Sequence, residues 1–153
     1  MGPAATGGLP MPFSAKSEYA LVALIELAAA QPQGGSLQVG EICRRQGLPD
    51  RYLEQMLTSL RKAGVLHSIR GPRGGYQLAR AAAEISVAEV IECLERLAPA
   101  ARHGDRSTPE FSVVASLERQ LEMARSRVLS STTLQQLLEE RQARILPQQM
   151  FYI

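Results

Sequence analysis

Tryptophan is absent from this 153-residue chain, and aromatic residues make up only 5% of it. Aromatic and β-branched side chains are what fill a pleated sheet surface, so the shortage leans towards helix. Cysteine is scarce too: Cys43 and Cys93 are too few for a disulfide framework. No apolar run is long. YALVALIELAAA at 19–30 is 12 residues and contains Glu26, whereas a membrane span needs ~20. The leader MGPAATGGLP has neither the basic start nor the apolar core of a secretory signal, so a cytoplasmic protein with no membrane partner is expected. No phosphate loop, no metal-ligand spacing and no nucleophile beside a base is found. An enzyme, a cofactor and a metal are therefore not expected, and no internal repeat is present.

What the chain does have is a core-forming composition, 45% apolar and 21% charged, long enough for one domain and an extra element. Its net charge of +2 hides an uneven distribution. Residues 44–80 hold Arg44, Arg45, Arg51, Arg61, Lys62, Arg70, Arg73 and Arg80 against only Asp50 and Glu54. A basic island in an acidic background points to a polyanion partner.

The expected organisation begins with a disordered Gly/Pro/Ala-rich leader at 1–13, with Met11 as a candidate start. Ser14 is placed to cap a first helix reaching about residue 31, apolar on most sides and so buried, in part against a second subunit. A second helix at about 38–46 turns Val39, Ile42 and Cys43 to the core and is closed by Gly47. Asp50 is expected to cap the third. There Leu53, Met56, Leu57 and Leu60 form an i, i+3, i+4, i+7 apolar stripe. VLHSIR and YQLA read as two strands joined by GPRGG. Ser86-x-x-Glu89 opens a helix to about 97, a loop covers 98–110, and a long helix follows at 111–130. Thr133-x-x-Gln136 opens a last helix to about 143, leaving a tail at 144–153.

Two short helices around a tight turn, followed by a basic hairpin, make the plan of a winged helix-turn-helix. The expected fold is mainly α with a small β-hairpin: a winged DNA-binding domain at 14–97 and dimerisation helices at 111–143. A third helix lying in the major groove of double-stranded DNA presents Arg51, Glu54, Gln55 and Thr58 to base edges and phosphates, with Tyr52, Arg61 and Lys62 on the same element. Gln pairs with adenine and Glu accepts from cytosine N4. On the wing, Gly71, Gly74 and Gly75 would let backbone approach a phosphate or groove wall. Arg70 suits the narrow minor groove and Arg73 a phosphate. Val113, Val114, Leu117, Leu121, Ala124 and Val128 form an apolar set wider than one small domain can cover, and a homodimer seam is expected there.

SAKSEYALVALIELA (14–28), EICRRQGL (41–48), RYLEQMLTSLRKAGVL (51–66), SIRGPRGGYQLAR (68–80) and EISVAEVIE (84–92) resemble the Rrf-two family of bacterial transcription regulators over residues 11–145. The resemblance implies a dimer, a pseudo-palindromic operator, base reading by Glu54 and Gln55, minor-groove entry by Arg70, and a repressor. Iron–sulfur members of that family carry three cysteines in the loop after the fourth helix. Here APAARHGDRSTPE has none, and Cys43 and Cys93 read as small buried hydrophobes. Two alternatives are kept: an iron–sulfur or redox sensor using Cys93, His103 and Glu18, and a winged helix that binds only protein. The ending MFYI resembles the cluster-free, cysteine-metabolism branch of the family. That resemblance implies cysteine synthase as a partner, docked through Tyr152 and Ile153.

Overall fold

The computed structural model describes residues 13–95 and 102–150, with side chains to Leu146. Residues 1–12 of the expected leader, the start of the expected loop and the expected docking residues Tyr152 and Ile153 lie outside the described residues.

Ser14 starts the first helix, α1 (Ala15–Ala30), its hydroxyl accepting from the Ser17 N–H at 3.2 Å. Ala20, Ala23, Leu24 and Leu27 on it are fully buried. α2 (Val39–Gln46) buries Ile42 and Cys43, half-buries Val39, and closes on Gly47 with φ 68°. α3 (Asp50–Lys62) buries Leu53, Met56, Leu57 and Leu60, the stripe its periodicity predicts. Asp50 does not cap it. Pro49, extended at φ −71° and ψ 126°, holds the cap position, and its carbonyl accepts the first helical bond, from Leu53 at 3.1 Å. Asp50 is thus already helical, a first-turn acid that still favours the helix dipole.

The hairpin pairs β1 (Leu66–Ile69) with β2 (Gly75–Leu78) antiparallel, Leu66 opposite Leu78 and Ser68 opposite Tyr76. Leu37 adds a bridge on the far side of β2, exchanging bonds of 2.9 and 2.8 Å with Tyr76. α4 (Val87–Leu94) is capped by Ser86 and ends three residues short of expectation. Only half of its capping box forms, because the Glu89 carboxylate is held by Arg80.

α5 (Pro109–Ser131) begins two residues early. Thr108 accepts from the Phe111 N–H, and Pro109 takes the first helical position, where a missing N–H costs nothing. The Thr133–Gln136 box forms in both directions, at 2.8 and 3.2 Å. α6 then runs Leu134–Met150, past the expected end at 143. Arg144, Leu146, Gln148, Gln149 and Met150 are good helix formers, and the helix continues through Pro147 although a proline supplies no N–H to the helical ladder.

A single apolar cluster joins these elements, and it contains Leu134 and Leu138 of α6. The turn from α5 into α6 is also stitched to the start of α4 by Val87 N–H to Thr132 O and Leu134 N–H to Ile85 O. Helix α6 therefore belongs to the core of the winged unit, where the sequence pattern groups it with α5. Two carboxylates tie helices together. Glu26 is buried on α1 and accepts from Arg45 and Gln46 of α2, both at 3.3 Å. Glu95 accepts from the Ser14 N–H at 3.0 Å and pairs with Arg125 of α5 at 3.7 Å.

Candidate nucleic-acid interface

The outer face of α3 follows from the same 3.6-residue period that buries its inner stripe. Arg51, Glu54, Gln55, Arg61 and Lys62 are exposed. Tyr52 is 38% exposed and meets the Tyr19 ring of α1 edge-on, centroids 5.8 Å apart. Thr58 is half-buried, and its hydroxyl donates to the Glu54 carbonyl at 2.9 Å, leaving it only acceptor capacity for a ligand. Glu54 accepts at Oε1 from the Tyr76 hydroxyl, 3.3 Å away on β2.

The wing tip is built against its own chain. Gly74 N–H donates to Gly71 O at 2.9 Å, closing a turn with Pro72 and Arg73 at its centre. A Cβ on Gly74 would lie 2.1 Å from Ile69 O, and one on Gly75 2.3 Å from Leu37 O. These two glycines are therefore required by the protein's own backbone. Only Gly71, at φ 107° with open space around it, keeps the room for the close approach expected of all three. Ser36 Oγ donates to Arg73 O at 2.9 Å and Gln38 Nε2 to Pro72 O at 3.3 Å, bracing the tip from the loop before α2. No pattern in the sequence marks Ser36, Gln38 or Tyr76 for these tasks.

Of the eight cations in the basic island, two are engaged inside the fold. Arg45 pairs with Glu26 and Glu41, and Arg80 with Glu89. The Glu41–Arg45 spacing and the lone acid Glu26 in an apolar helix are the sequence signals that could have marked Arg45. Arg44, Arg51, Arg61, Lys62, Arg70 and Arg73 are exposed and make no ion pair among the described residues. The free positive charge of the island thus lies on α2, α3 and the wing tip.

The metal-ligating candidates stay apart. Cys43 is buried, and burial first, then the neighbouring Asp50, pushes its thiol above the ordinary range. Cys93 is half-buried, not enclosed as expected, and its Sγ donates to Ser59 O at 3.5 Å. Glu18 is exposed in the first turn of α1 and His103 is exposed before α5. No group of three His, Cys, Asp or Glu that could hold a metal exists among the described residues. Residues 1–12, 96–101 and 147–153 contain none of these four types. The donors of one chain do not fit an iron–sulfur cluster, which soft thiolates hold.

On α5 the predicted apolar set is uncovered: Val113, Val114, Leu117, Leu121 and Val128 are between 53 and 70% exposed, Ala124 is exposed, and only Leu129 is buried. No helix among the described residues is long and apolar enough to cross a membrane.

A family model described as Rrf2, iron-dependent transcriptional regulator, matches residues 13–140. An HTH-type transcriptional regulator of Synechocystis is 42% identical over 126 residues, 81% of this chain and 85% of the relative. A solved structure of T. potens IscR is 34% identical with TM-score 0.72, covering 89% of this chain and 90% of its own. The structure of CymR, described as the global cysteine regulator of B. subtilis, is 31% identical with TM-score 0.74, covering 86% and 98%. A mainly helical fold with one hairpin, a cation-rich outer face on α3 and these matches agree: the chain belongs to the Rrf2 family of DNA-binding transcription regulators.

Proposed function

We propose that the chain works in the cytoplasm as a homodimeric repressor that reads a pseudo-palindromic duplex operator. In this reading α3 enters the major groove, Gln55 and Glu54 meet base edges, Arg70 enters the minor groove and Arg73 meets a phosphate. The observation that carries it is the set of six cations on α2, α3 and the wing that make no ion pair among the described residues, beside an exposed Glu54 and Gln55. The DNA-binding part spans 14–97. The second copy covers the apolar face of α5, since Val113, Val114, Leu117, Leu121 and Val128, left in water on one face of the helix, ask for a partner. The test is duplex binding across salt concentrations. Phosphate neutralisation releases counterions, so affinity should fall roughly thousandfold or more between about 50 and 200 mM salt. A flat response would leave the protein-binding module as the better reading.

A finer reading assigns the regulator to cysteine or sulfur metabolism, with cysteine synthase as signalling partner. It is supported by the likeness to the B. subtilis regulator and by a donor set too poor for a cluster. Titrating a QQMFYI peptide into cysteine synthase tests the partner. No binding, or equal binding by a peptide lacking Ile153, removes it.

A further inference from the structure

We propose that Tyr76 is a positioning residue for sequence discrimination: its hydroxyl fixes the Glu54 carboxylate on the recognition face, so that the wing strand and α3 read DNA as one unit. The inference rests on the reading above, in which α3 lies in the major groove, and adds to it a residue that touches no base.

The geometry is specific. Tyr76 lies on β2, opposite Ser68 of β1, and both its backbone N–H and its carbonyl are bonded to Leu37 on the other edge of the strand. The residue is only 8% exposed. The hydroxyl is therefore carried on a side chain that cannot wander, and it reaches Glu54 Oε1 at 3.3 Å, across 22 residues of sequence. Glu54 Oε2 has no hydrogen-bond partner among the described residues. An exposed glutamate left alone samples several rotamers, and ordering it on a base has an entropic cost. One tethered through one oxygen presents the other with much of that ordering already done.

A carboxylate is an acceptor only. In the major groove it can accept from the exocyclic amine of cytosine or adenine, and it meets only acceptors on guanine and on thymine O4. In a channel lined by phosphates, a carboxylate that finds no donor is repelled. A fixed Glu54 therefore both favours a donor-bearing base and penalises the others, and specificity needs both. A mobile Glu54 swings to solvent and escapes the penalty. Tyr76 removes that escape.

The test is Tyr76→Phe, which keeps the buried ring and deletes only the tether; circular dichroism and the melting temperature verify its fold. The preferred site is selected from a randomised duplex pool with the wild-type protein. Competition with duplexes altered at single base pairs then measures discrimination for wild type, Y76F, Glu54→Ala and the double variant. Expected is a roughly three- to tenfold fall in discrimination for Y76F, the worth of one net hydrogen bond, confined to the base pair that E54A also relaxes. The salt slope should not change, and Y76F should add nothing in the E54A background. If E54A relaxes a base pair while Y76F keeps wild-type discrimination there, or if the Y76F effect persists without Glu54, Tyr76 does not act through Glu54 and the proposal is overturned. If E54A relaxes no position at all, the groove assignment of α3 fails first and takes this proposal with it.

Discussion

At the residue scale, arginines that look alike in the sequence do different work. Arg45 and Arg80 neutralise carboxylates within the fold, while Arg70 and Arg73 stand free at the wing tip. Removing one partner of the buried Glu26 pair would strand a charge, whereas removing Arg73 leaves the fold alone. On DNA, Gln55→Ala should lose discrimination at particular base pairs by ~1–3 kcal/mol, the worth of a bidentate contact. Arg73→Ala should weaken all duplexes alike and lower the salt slope by about one unit. Binding titrations on matched and mismatched duplexes at several salt concentrations separate the two, and an unchanged sequence preference in Gln55→Ala would contradict the groove assignment. Glu95 carries a pH dependence. Burial alone would raise its carboxyl, but the hydrogen bond from Ser14 and the nearby Arg125 outweigh that and hold it below the ordinary range. A folded pKa below the unfolded one means the stabilisation is complete above the ordinary glutamate value of about 4.3 and is lost as pH falls through the lower folded value. Glu95→Gln should therefore melt below wild type at neutral pH, with the gap closing in acid. A gap independent of pH would show that this carboxylate is not what joins α1, α4 and α5.

At the element scale, the wing is held by close approach. Gly74 faces Ile69 O at a distance no Cβ tolerates, and the obstacle is backbone, so it cannot rotate away. Gly74→Ala should open the hairpin turn at a cost on the order of 1–3 kcal/mol, as overpacking does. Denaturant unfolding would show a lower midpoint, and DNA binding would lose the wing's share of affinity while α3 keeps its base preference. Wild-type stability in Gly74→Ala would mean that the tip is looser than its geometry. Helix α3 has the opposite character. Its stability comes from four buried apolar residues, so its exposed face is free to carry whatever side chains the ligand requires.

At the scale of the whole molecule, α5 is the element that one chain does not complete. It is ~35 Å long at 1.5 Å per residue, and its large apolar residues face water except Leu129. A two-fold dimer through this face would set two recognition helices about one turn of DNA apart, ~34 Å. Leu121→Glu would bury a charge in such a seam. Sedimentation should then show monomer, and affinity for a two-half-site duplex should collapse towards that of a single half-site. An unchanged dimer would place the seam elsewhere.

The amino-acid sequence by itself determined what neighbours within a turn decide. The caps at Ser14, Ser86 and Thr133, the buried stripe of α3 and the two strands around the glycine-rich turn depend on residues three or four apart, or on alternation. Those periods are readable without knowing where the rest of the chain goes. The same locality made the ends less legible: Pro49 displaced Asp50 from the cap of α3, and α6 ran on through Pro147. The tertiary structure alone decided which cations stay free, that α6 packs into the winged core, and that Ser36 and Gln38 brace the wing. It also decided that Tyr76 holds Glu54. Those partners lie 22 to 37 residues apart in sequence, and their meeting depends on how whole elements pack. No local pattern encodes that.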